Sequence, residues 1–132
     1  MTIRVLIVDD YHPWRRYLST ALGTQPELEI GGEAADGLAA VQKAQELQPH
    51  LILLDLVLPE LNGIEAARRI RQLSQNSKIL FVSMERNPEV VRGALDTGAH
   101  GYLVKSDAGS QLFLAIKTVL EDKRFVSNSV NL

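Results

Sequence analysis

Apolar residues along this chain follow two rhythms that take turns. Short runs of four to seven residues, rich in β-branched side chains, alternate with stretches in which apolar positions recur every three or four residues. The runs Ile3–Val8, Leu28–Ala34, His50–Leu54, Lys78–Ser83 and Gly101–Val104 read as strands, each closed by polar or turn residues. The Gly31-Gly32 pair weakens the second of them. Helical spacing joins Trp14, Tyr17, Leu18, Ala21 and Leu22, after a Tyr11-His12-Pro13 turn, and stops at Gly23 and Pro26. A second helix runs through Leu38, Val41, Ala44 and Leu47 and ends before Pro49. A third takes Ile64, Ala67, Ile70 and Leu73, and a fourth takes Val90, Val91, Ala94 and Leu95 between Pro88 and Gly98. The fifth buries Leu112, Ala115, Ile116, Val119 and Leu120, with Asp107 or Ser110 as its cap. Beyond Glu121 the segment KRFVSNSVNL loses periodicity and is expected to fray. Strands alternating with helices predict an α/β fold: a parallel sheet with right-handed crossovers and helices on both faces.

Composition narrows the class. The chain has 132 residues, 45% hydrophobic and 23% charged, the profile of one globular domain with a real core. A net charge of −2, from 14 basic and 16 acidic residues, gives no basic excess for nucleic-acid binding by this domain. There is no cysteine, which excludes disulfides, thiolate metal sites and thiol nucleophiles. The first strand begins almost at Met1, so no signal peptide is expected. No apolar run approaches the ~18 residues that span a bilayer, so no membrane contact is expected and the cytoplasm is the default location.

Parallel strands all end on one edge of their sheet, the edge where ligands bind. This sequence delivers Asp9-Asp10, Asp55, Ser83 and Lys105 to that edge from four different strands. Taken singly, each has a structural reading. Asp9-Asp10 reads as a capping turn, Asp55 and Ser83 as strand-end turn residues, and Lys105 as a solvated charge. Their convergence points to chemistry instead. Crowded carboxylates raise each other's pKa, and a hard divalent cation, Mg²⁺ or Mn²⁺, relieves the conflict. Asp10 and Asp55 suit direct ligation, Asp9 ligation through water, and the backbone carbonyl near Val57 a further oxygen. Lys105 supplies a mobile point charge for an anion, and Ser83 supplies a hydroxyl donor. The set suits phosphoryl transfer onto a carboxylate, with Asp55 as nucleophile.

Asp9-Asp10, Asp55 in LLDLVLPELNG, Ser83 in LFVSM and Lys105 in GYLVKSD together resemble the response-regulator receiver domain of two-component signalling, from Ile3 to about Glu121. TGAHGYLVKSD and the HPWRR start of the first helix are similar to the subfamily that carries a LuxR-type helix-turn-helix output domain. The resemblance implies a flavodoxin-like (βα)5 doubly wound sandwich with five parallel strands in the order 2-1-3-4-5. It implies a receiver over residues 1–122, with 123–132 a tail or the start of a linker to an output domain outside this chain. Asp55 would accept a phosphoryl group from a sensor histidine kinase or phosphotransfer protein with Mg²⁺ held by Asp9, Asp10, Asp55 and the Val57 carbonyl. Ser83 and Lys105 would contact the phosphoryl oxygens. Movement of Ser83 would let Tyr102 turn inward and change the surface of the fourth helix, fifth strand and fifth helix. That surface would serve a homodimer or another partner, with DNA reached only through an output domain. On this reading the chain is a signalling domain, not an enzyme.

Some positions depart from the receiver pattern. Met84 stands where receivers generally carry a small residue, and is expected to narrow access to Asp55 for small donors. Val57 cannot hydrogen-bond an attacking water, which favours a long-lived aspartyl phosphate unless Glu85 holds that water. Tyr102 has an alternative reading as a packed tyrosine with its hydroxyl in solvent. Trp14 reads as helix packing, Arg68-Arg69-Arg71 as a solvated helix face, and His12, His50 and His100 as too scattered to bind metal. A metal-dependent phosphatase of similar topology would carry a second acid-base Asp where Val57 stands. A nucleotide- or flavin-binding domain would need a glycine-rich loop where Asp9-Asp10 stands. A degenerate receiver acting as a binding platform is the remaining alternative.

Overall fold

The computed structural model describes all residues, Met1–Leu132. Its strands are β1 (Ile3–Val8), β2 (Leu28–Ala34), β3 (Leu51–Leu54), β4 (Lys78–Ser83), β5 (Gly101–Val104) and β6 (Phe125–Val126). Its helices are α1 (His12–Leu22), α2 (Gly37–Leu47), α3 (Gly63–Leu73), α4 (Pro88–Leu95) and α5 (Ala108–Leu120). The sheet is parallel throughout, in the order β2-β1-β3-β4-β5-β6.

Successive strand residues point to opposite faces, and each face finds its own helices. Leu6, Val8, Ile52, Leu54, Phe81, Tyr102 and Val104 pack under α2, α3 and α4, which contribute Ala44, Ala67, Ile70 and Val91. Val5, Ile7, Leu51, Leu53, Val82 and Leu103 pack under α1 and α5, which contribute Leu18, Leu22, Leu112, Ile116 and Val119. The central strands are apolar on both faces because both faces are covered. The glycine pair in β2 is absorbed by a bulge. Val5 pairs with Ile30 and Leu6 with Gly32, which leaves Gly31 as the extra residue. No helix is long and apolar enough to cross a membrane.

The structure corrects the expectation of five strands and a frayed tail. Phe125–Val126 adds a sixth strand to the outer edge of β5, paired as Gly101 with Phe125 and Tyr102 with Val126. The ladder then continues through side chains. Ser127 N–H donates to the Tyr102 carbonyl at 2.9 Å, and the Ser127 hydroxyl accepts from Val104 N–H at 2.7 Å. Ser127 and Val130 are buried, and Ser129 donates to the Asp107 carboxylate at 2.5 Å. Two apolar side chains and one hydroxyl, spaced to match an open strand edge, order a segment that has no periodicity of its own.

Smaller corrections concern termini. His50 lies outside β3. Its Nδ1 accepts from Arg4 N–H at 2.9 Å, as His100 Nδ1 accepts from Ile79 N–H at 3.0 Å, so both imidazoles extend the ladder at the N-terminal edge of the sheet. Neither expected cap of α5 works as one. Asp107 makes no side-chain cap bond, and Ser110 donates to the Asp107 carbonyl. Elsewhere Asp36, Asn62 and Asn87 cap α2, α3 and α4 by accepting backbone N–H groups.

Candidate functional site

β1, β3, β4 and β5 finish on the same edge and carry Asp9, Asp55, Ser83 and Lys105 there. One carboxylate oxygen from each of Asp9, Asp10 and Asp55 lies within 4.8 Å of the others. Asp9 and Asp55 are buried, and Asp10 is exposed. The Asp9 Oδ1 accepts from Tyr11 N–H at 2.8 Å. Its Oδ2 is buried and forms an ion pair with Lys105 Nζ at 2.7 Å. Asp55 Oδ1 accepts from Leu56 N–H at 2.8 Å, and Oδ2 lies 3.4 Å from the same ammonium.

Burial, and then the Asp9 charge, push the Asp55 carboxyl up to about 6, against the opposing pull of Lys105 and the Leu56 N–H. One lysine therefore faces two buried carboxylates, with a third beside them. Three carboxylates, two of them buried and each with an oxygen within 4.8 Å of the others, are a donor set that fits a hard, oxygen-seeking divalent cation.

The loop that carries Asp55 is clamped by glycine. Gly63 N–H donates to the Leu56 carbonyl at 2.7 Å, and a Cβ at Gly63 would lie 2.1 Å from the Asp55 carbonyl oxygen. At Gly37 a Cβ would lie 1.8 Å from the Leu61 carbonyl oxygen. Only glycine permits these backbone-on-backbone approaches.

Ser83 is buried, and its hydroxyl accepts from Glu85 N–H at 3.2 Å. Tyr102 is fully buried, and its hydroxyl donates to the Glu85 carbonyl at 2.7 Å. Burial pushes the phenol up to about 12. The alternative of a tyrosine with its hydroxyl in solvent is thereby overturned. Ser83 and Tyr102 meet the same residue, Glu85, from two strands.

Val57 and Met84 are 75% and 72% exposed and flank the site. With Asp55, Ser83 and Glu85 they line a cleft of about 240 Å³. Met84 also walls a second cleft of about 460 Å³ with Asp9, Asp10, Tyr11, Trp14 and Lys105. His12 lies apart from the acidic cluster, in a cleft with Arg16 and Glu33. Arg68 and Arg69 pair with Glu65 on the surface of α3, in keeping with a solvated face.

One contact was not legible in the sequence. Trp14 lies beneath the ammonium of Lys105, 5.2 Å from ring centroid to Nζ. Helical spacing marks Trp14 as facing inward but does not say that Lys105 arrives above it.

A doubly wound parallel sheet with an acidic pocket, a lysine and a hydroxyl at its C-terminal edge defines a class of α/β signalling domain. The chain belongs to the response regulator receiver domain family, which it matches over residues 5–117. It is 38% identical over 122 residues to the response regulator protein VraR of Staphylococcus epidermidis, covering 92% of this chain and 58% of that protein. The chain thus spans little more than half the length of such relatives. It is 32% identical to a structure of a LuxR-family two-component response regulator from an Aurantimonas species, with a TM-score of 0.93 over 98% of this chain and 93% of that one. The response regulator domain of Thermotoga maritima CheB is also 32% identical, with a TM-score of 0.85 over 92% and 98% of the two chains. The likeness to LuxR-type receivers drawn from TGAHGYLVKSD agrees with the LuxR-family structure.

Proposed function

We propose that this domain accepts a phosphoryl group on Asp55 and is switched by it. The observation that carries the proposal is the placement of one ammonium, Lys105 Nζ, 2.7 Å from Asp9 and 3.4 Å from Asp55, beside the exposed carboxylate of Asp10. Asp55 Oδ2 is the attacking oxygen, since Oδ1 is held by the Leu56 N–H. The phosphoryl group leaves the nitrogen of a phosphohistidine, which keeps the bonding pair and takes a proton, and forms a bond to Asp55. Lys105 neutralises charge on the transferring group, and the Ser83 hydroxyl turns from the Glu85 N–H to a phosphoryl oxygen. A Mg²⁺ or Mn²⁺ ion held by Asp9, Asp10, Asp55 and the Val57 carbonyl would supply further charge neutralisation when bound.

Tyr102 couples the site to a surface. Its hydroxyl and the Ser83 hydroxyl both meet Glu85, so a move of Ser83 alters the tyrosine's neighbour. The readout is the surface of α4, β5 and α5, through which a homodimer or an output domain responds. A sensor histidine kinase or phosphotransfer protein supplies the phosphoryl group, and DNA is reached only through an output domain. Val57 and Met84 set access to Asp55, while Val57 and Glu85 set the lifetime of the aspartyl phosphate.

The test is incubation with Mg²⁺ and phosphoramidate, followed by intact mass. Wild type gains one phosphoryl group and Asp55→Asn gains none. Equal labelling of the two proteins, or continuous phosphate release with rapid turnover, overturns the reading.

A further inference from the structure

Lys105 has a long stem of single bonds and lines the cleft shared by Asp9, Asp10, Trp14 and Met84. Its ammonium pairs with two carboxylates, those of Asp9 and Asp55. On the proposed function, on which this inference rests, those oxygens are also the ones that a metal and a phosphoryl group engage. They cannot hold the lysine unaided through the reaction. It also meets the face of Trp14, 5.2 Å away, and an indole face neither ionises nor binds metal.

The ring is itself fixed. It stacks on Tyr17, one turn further along α1, with centroids 4.8 Å apart and planes 25° from parallel. The ring also packs against the apolar cluster under α1 and α5, so its face meets the ammonium from a supported position.

We propose that Trp14 is a positioning residue for Lys105. Its ring face confines the ammonium between Asp9 and Asp55, so that Lys105 meets the transferring phosphoryl group in one pose. Trp14 touches no reacting atom; it acts through the lysine.

The test compares wild type, Trp14→Phe, Trp14→Leu and Asp55→Asn. Phenylalanine keeps a π face without the indole N–H, and leucine keeps apolar bulk without a π face. With phosphoramidate and Mg²⁺, the rate of Asp55 labelling at saturating donor is expected to fall about fivefold in Trp14→Leu and to stay within about twofold of wild type in Trp14→Phe. Proton NMR without metal or donor provides a second readout. The ε-methylene of Lys105 should be shifted upfield by the ring in wild type and Trp14→Phe, and should return to the ordinary lysine position in Trp14→Leu.

Labelling of Trp14→Leu at the wild-type rate overturns the inference, as does Trp14→Phe being as slow as Trp14→Leu. If wild type takes up no phosphoryl group, the proposed function fails. The NMR readout then decides the inference: an unshifted Lys105 in wild type overturns it, and a shift lost only in Trp14→Leu upholds the hold of the ring on the lysine.

Discussion

At neutral pH Asp55 ionises in a buried position beside a second carboxylate, and its pKa of about 6 records the strain of doing so. The sign follows from proton counting. Between the ordinary value of 3.8 and about 6 the folded protein holds a proton on Asp55 that the unfolded chain has released. Stability from this residue is present at acid pH and lost as pH rises through about 6. In metal-free buffer at pH 7.5, Asp55→Asn should therefore be more stable than wild type, by on the order of 1–2 kcal/mol. The difference should vanish as pH falls toward ~4. Urea denaturation across that range checks it; a variant no more stable than wild type at pH 7.5 would count against the electrostatic account. Asp55, Asp9, Ser83 and Lys105 were legible because each closes an apolar run, and parallel topology turns strand ends into neighbours. Trp14 was only half legible. Its periodicity gives the face of α1 it occupies but not which long side chain from β5 would cover that face.

At the scale of elements, the C-terminal strap is the part the pattern concealed. A two-residue strand has neither alternation nor length to betray it, and Phe125–Val126 is ordered by the free edge of β5 rather than by its own propensity. Ser127 does what a further strand residue would otherwise do. Its hydroxyl accepts the Val104 N–H, immediately before Lys105, and spares a buried donor. Ser127→Ala should cost ~1–3 kcal/mol, the penalty of leaving that N–H unpaired, while Ser127→Thr should retain most of the stability. Equilibrium unfolding of the two variants decides this. Equal stabilities for Ser127→Ala and wild type would mean that water replaces the hydroxyl.

Across the whole molecule, the sheet has two chemically different ends. The C-terminal edge gathers acids and a lysine; the N-terminal edge is finished by His50 and His100 accepting backbone N–H groups. The histidines looked scattered in sequence because their shared role, one residue before a strand, belongs to the sheet and not to any local motif. Burial first, then Lys78 and Arg71, lower the pKa of His100 below 6.5. The unfolded chain therefore binds a proton that the fold resists, and the His100 contribution is lost as pH falls below about 6.5. This runs opposite to Asp55, so the two edges titrate against each other. The stability of wild type relative to His100→Asn should decline between pH 7 and pH 5, measured by thermal unfolding; a flat difference would overturn the assignment.

The glycine clamp has a consequence for how such a domain can change. Gly37 and Gly63 leave the backbone around Asp55 no room for a side chain, so substitution there damages the fold before it adjusts the chemistry. Val57 and Met84 stand in solvent beside the same carboxylate. The molecule thus separates what must stay constant from what can vary. On the proposed function, the acceptor keeps its place by backbone contact, while the speed and persistence of the signal are open to revision at two exposed positions, one substitution at a time and without refolding the site.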